Sequence, residues 1–152
     1  MKEESKRELL QLEQLNAHMF QVMGALKLLN FKVKSFVLKL QRVDEADEVQ
    51  LHSLNQGFQA FSRDIDFFKQ EYQLIADADL PMPMLNHFVQ NVDRLFFKGS
   101  DPYTLVEMRR ISVYMYRMAD LMLGELLAQK TANETKIHAL HAQNGKYYFN
   151  RK

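Results

Sequence analysis

Between Leu12 and Val43 the apolar residues Leu12, Leu15, Met19, Val22, Leu26, Leu29, Val33, Phe36, Leu40 and Val43 follow one another at steps of three and four in strict alternation. A period of 3.5 residues keeps a single stripe on one side of an α-helix, and that stripe must be buried against another helix. The pattern predicts a helix over about residues 4–43. No convincing β-strand pattern, with its period of two, occurs elsewhere in the chain.

A second seam follows. Leu51, Leu54, Phe58, Phe61, Ile65, Phe68, Tyr72 and Ile75 alternate by three and four again, with Gly57 off the stripe. The acidic run Asp44, Glu45, Asp47 and Glu48 suits the first turn of this second helix, where carboxylates meet the positive end of the dipole. Helices 1 and 2 are expected to form an antiparallel hairpin, a continuous pair through residue 44 being the alternative.

Pro81 and Pro83 make residues 77–83 a loop and can open a short third helix, whose apolar face is Leu85, Phe88, Val92 and Leu95 with Val89 and Phe96. Gly99 is placed to end it, and Asp101-Pro102 to start the fourth as N-cap and first helical residue. The fourth helix is read over residues 102–144, apolar from Leu105 to Leu127, polar beyond, and stopped at Asn144-Gly145. The fold class expected is all-α: an elongated bundle of about four helices with coiled-coil-like antiparallel packing. A single bundle domain over 1–145 would be followed by an aromatic and basic tail, 146–152.

Composition removes several functions. With no Cys there are no disulfides, thiolate zinc sites or cysteine nucleophiles. No stretch approaches the roughly 18 apolar residues of a membrane span. The opening residues Lys2, Glu3, Glu4, Lys6, Arg7 and Glu8 are unlike the apolar run of a signal peptide, so a cytoplasmic setting is expected. No nucleophile elbow, phosphate-cradling loop or dinucleotide fingerprint occurs. No cofactor or small-molecule substrate is indicated. His138 and His141, with Glu134 a turn earlier, read as surface residues rather than metal ligands, since a bundle metal site needs carboxylates and histidines converging from several helices. Asp64 and Asp66, two apart on a helix, point to different sides and make a poor acid and base pair.

Binding is the class that remains. Leu28, Phe31 and Leu38 lie off the seam of helix 1, so that helix is apolar on two sides. They belong either to the bundle interior or to a homodimer interface or partner-helix groove. Met108, Met115, Met118 and Met122 form a stripe on helix 4, read as core, with an adaptable groove as the other account. Tyr147, Tyr148 and Phe149 in the tail need a surface to pack on, the chain's own or a partner's.

Charge is near balance overall but uneven. Residues 27–43 hold five bases (Lys27, Lys32, Lys34, Lys39, Arg42) and no acid, whereas 44–79 hold nine acids against Arg63 and Lys69. Pairing inside the hairpin is the plain account. A nucleic-acid site using Lys27, Lys32, Lys34, Lys39, Arg110 and Arg117 is the alternative, with Arg110, Tyr114 and Arg117 lined up on one edge of helix 4.

In architecture the chain resembles the small export chaperones and scaffold subunits of bacterial secretion machines: short, with long helices and few glycines. The resemblance implies an adaptor or chaperone that binds protein partners, including its own copies, through an apolar helix surface, with no catalysis. The helical small subunits of RNA-guided defence complexes are similar in size and correspond to the nucleic-acid alternative.

Overall fold

The computed structural model describes residues 2–96 and 101–150, with side chains through Gln143. The described residues form an all-α bundle: α1 (Glu3–Gln41), α2 (Glu48–Gln59), α3 (Phe61–Ala76), α4 (Pro83–Asn91) with a 3₁₀ turn (Val92–Phe96), and α5 (Leu105–Asn150). Helix α1 packs along both α5 and α3, and α4 closes the fourth side against α5.

The seam of α1 is the core: Met19, Val22, Leu26, Leu29, Val33, Phe36 and Leu40 are buried, while Leu12 and Leu15 are half-buried. At its end, Arg109 of α5 donates to the carbonyl oxygens of Leu40 and Val43, a cation placed at the negative end of a helix dipole. The chain then turns through residues 42–47. This corner makes the hairpin, not the continuous pair. Only Glu48 of the acidic run lies in the first turn of α2, because Asp47 is the N-cap: its carboxylate accepts from the Gln50 amide at 2.8 Å, and the Gln50 side chain accepts from the Asp47 amide.

The second seam is divided at Ala60 into two helices where the sequence predicts one. Ala60 keeps helical dihedrals, so the seam runs through the break, and Leu54, Phe58, Phe61, Ile65, Phe68 and Ile75 are all buried. Phe36, Phe58, Phe61, Phe96 and Tyr103 form an aromatic cluster there. Phe36 meets Phe61 edge-on at 5.3 Å and Phe58 meets Tyr103 at 4.8 Å.

Pro83 opens α4 as expected, and the cap comes from another helix. Glu125 of α5 accepts from the amides of Met84 (3.0 Å) and Leu85 (2.8 Å). The predicted stop at Gly99 lies outside the described residues. Helix α5 starts later than Asp101-Pro102 suggests. Residues 101–104 are not helical; Thr104 caps the helix, accepting from the Glu107 amide while the Glu107 carboxylate accepts from its own. The physical reason is Asn55, whose side chain bonds Tyr103 at both its N–H (2.7 Å) and its C=O (2.9 Å) and holds that backbone away from α5.

Nor does α5 stop at Gly145. The helix continues to Asn150, a single mid-helix glycine costing only about 1 kcal/mol against alanine. The backbone of residues 146–150 thus continues α5.

The Lys32–Asp64 pair (2.8 Å) and the Phe36–Phe61 contact, later on α1 and earlier on α3, set the two helices antiparallel. Counting along both helices from the ion pair, α3 ends level with about residue 20 of α1. Beyond that level α1 and the polar half of α5 continue as a two-helix arm. A buried amide pair sits at its base: Asn133 donates to Asn16 Oδ1 at 2.9 Å, Asn16 donates to the Lys130 carbonyl, and Gln129 donates to Asn133 Oδ1. Buried asparagines of this kind fix register. Asn133→Leu is expected to cost about 1 to 3 kcal/mol in chemical denaturation, by leaving Asn16 without its partner. The double variant Asn16→Leu/Asn133→Leu is expected to regain most of that loss.

Candidate interaction surface

The bundle is closed inside. Met108, Met115, Met118 and Met122 are all buried, so the methionine stripe is core and not a groove. The apolar residues in water are elsewhere. Leu28, Phe31 and Leu38 are 46%, 69% and 50% exposed, which removes the bundle-interior account of these three. Phe20, 68% exposed, joins them: at 100° per residue, Phe20, Phe31 and Leu38 lie on one line of α1 within about 20°.

Gly24 lies on the same strip, between Phe20 and Leu28. A Cβ added there would meet nothing within 4 Å. A glycine in the middle of a helix costs about 1 kcal/mol against alanine, and no contact within the chain requires this one.

Beside Phe31 an open groove of about 380 Å³ runs between α1 and the α2/α3 break. Phe36, Gly57, Ala60 and Phe61 line it, with Lys32 and Lys39 also on the α1 side and Asp64 on the other. A Cβ at Gly57 would meet the Phe36 ring at 3.6 Å, an ordinary van der Waals contact.

The charges of the hairpin are largely unpaired. Among the described residues Lys32–Asp64 is the one ion pair joining α1 to α2 or α3, and Lys27, Lys34 and Lys39 are exposed with no ion-pair partner. Internal pairing therefore accounts for one lysine of the basic stretch. Arg110 and Arg117 are exposed on α5 and line a shallow groove of about 540 Å³ with Val106 and Tyr114. No residue of α1 lines that groove, so the six bases named from sequence do not gather into one site. Arg109, their neighbour, is committed to the end of α1.

The side chains of Tyr147, Tyr148 and Phe149 lie outside the described set. His138 and His141 are exposed on the arm, where His141 meets Glu13 at 3.2 Å. Among the described residues no three His, Asp or Glu side chains are grouped closely enough to hold a metal ion. Two tyrosines are displaced from their ordinary ionisation. Burial raises Tyr72, which donates to Asn86, and burial followed by the Glu107 carboxylate raises Tyr103, which donates to the Leu95 carbonyl. Tyr72 and its acceptor Asn86 line a small pocket of about 230 Å³ with Asp79 and Gln90.

Phe20, Phe67 (46% exposed) and Leu74 (45% exposed) were not legible as surface sites from the seams. Phe20 carried a usable signal, since it precedes Phe31 by eleven residues, three helical turns, off the buried stripe. No protein-family model, curated protein or solved structure matches the chain.

Proposed function

We propose that this chain is a non-enzymatic binding module for protein partners, an adaptor, chaperone or scaffold subunit that works through the outer face of α1 and through self-association. The observation that carries the reading is the line Phe20, Phe31 and Leu38 with Leu28 to one side of it, left in water above a core that is already complete. Contiguous exposed apolar residues on a helix mark surfaces that another chain covers. No helix among the described residues is long and apolar enough to cross a membrane, and the reading carries a cytoplasmic setting.

The test is recovery of tagged protein from its native lysate at low salt, wild type beside Phe31→Ala/Leu38→Ala. A stoichiometric protein is expected with the wild type and not with the variant. Thermal and chemical unfolding of the variant should stay within about 0.5 kcal/mol per site, as for exposed positions. A second reading, a nucleic-acid-binding subunit, is favoured by the unpaired Lys27, Lys34 and Lys39. It requires nuclease-sensitive absorbance in the recovered material that salt removes steeply. That result, with no protein partner, would overturn the proposal.

A further inference from the structure

Helix α3 carries the counterpart of the α1 face. Its outer line holds Phe67 and Leu74, both exposed, and beside them Asp66, exposed, and Glu71, half-buried. Of the bases on α3, Lys69 is engaged by Asp93 at 2.6 Å, and Arg63, exposed, lies one turn before Phe67 on the same outer line, so the face holds two acids against one base. The adjacent α1 is the opposite: between Gln14 and Val43 it has no acid at all. Its apolar line is bordered by Lys27 and Lys34 on one side and by Lys32 and Lys39 on the other.

Resting on the reading of the α1 face as a protein-binding surface, we propose that one occupant is a second copy of this chain, with α1 of each protomer laid on α3 of the other. The two faces are complementary in charge and alike in apolar character, and they are neighbours in one molecule. That combination is what a two-fold interface needs, because each contact then occurs twice. With the two-fold axis parallel to the helices and over the groove between them, α1 meets the partner's α3 antiparallel. Taking heights from the Lys32–Asp64 pair, position 66 of the partner falls level with about residue 30, between Lys27 and Lys34. Leu74 of the partner subunit falls level with about residue 22, beside the open space over Gly24. The axis passes over the groove lined by Phe36, Gly57, Ala60 and Phe61.

Charge reversal tests this pairing by sedimentation over a wide concentration range. Lys27→Glu/Lys34→Glu alone, and Asp66→Lys/Glu71→Lys alone, each set like charges on both contacts and are expected to weaken self-association about tenfold or more. An equimolar mixture of the two variants restores attraction at both contacts, one with inverted and one with native polarity, and is expected to dimerise. The chain carrying all four substitutions should do so by itself. These sites are exposed or half-exposed, and melts of each variant confirm that the fold is kept. A wild type that stays monomeric at all concentrations overturns the second-copy proposal, as does a dimer indifferent to both reversals or one not restored by mixing. A monomeric wild type would also remove self-association from the proposed function, but none of these results touches the recovery of a different protein through Phe31 and Leu38, so partner binding and the second-copy proposal fail separately.

Discussion

Phe58→Ala is expected to cost about 3 to 5 kcal/mol of stability, enough to unfold a domain of this size at moderate denaturant. The ring is fully buried and lies within 6.1 Å, centroid to centroid, of Phe36, Phe61, Phe96 and Tyr103. Those four rings come from α1, α3, the 3₁₀ turn and the segment before α5, so the cavity would open where four parts of the chain meet. Neighbours fixed by their own helices cannot collapse into it, which places the cost toward the upper part of the range. Urea titration should show a lower midpoint with an unchanged slope. Phe31→Ala removes the same group from the same chain and should leave the midpoint almost where it was.

Asn55→Ala is the second large effect, about 2 to 4 kcal/mol. The Asn55 side chain is buried and pairs with the Tyr103 backbone in both directions, as a neighbouring strand would. Removing it strands a buried N–H and a buried C=O together, each costing about 1 to 3 kcal/mol without a partner. The loss should also loosen the start of α5. Hydrogen exchange is expected to be faster at the amides of Tyr103 and of the first turn of α5 in the variant, with the α1 amides less affected.

The contrast between these residues explains what could be read without a structure. Burial follows the 3.5-residue period closely: the stripe from Met19 to Leu40 is core, and so is the stripe from Leu54 to Ile75. Long periodic runs are legible because every turn repeats the same demand. Single polar side chains that act across the fold are not. Asn55, Glu125 and Arg109 satisfy the ends of segments 40 to 69 residues away in sequence, and no local pattern marks the partner. That distance is why the start of α5 falls at Leu105 rather than at Pro102. The α1 face was half legible. Leu28, Phe31 and Leu38 stood out as apolar residues off the seam, but whether they were covered depended on where α3 and α5 sit around α1. The acidic face of α3 was hidden further, since Phe67 and Leu74 fall among the buried Phe68 and Ile75 in sequence and separate from them only on the helix surface.

The central claim is that the outer face of α1 is a surface covered by protein. The most direct measurement places a photo-crosslinking amino acid at position 31 in the full chain, expressed in its native cells, with position 135 on the exposed side of the arm as control. The expected result is a discrete protein adduct from position 31, to another protein or to a second copy, and none from position 135. The account is contradicted by a position 31 that yields no adduct in cells while the chain is folded, or by one whose adduct is nucleic acid.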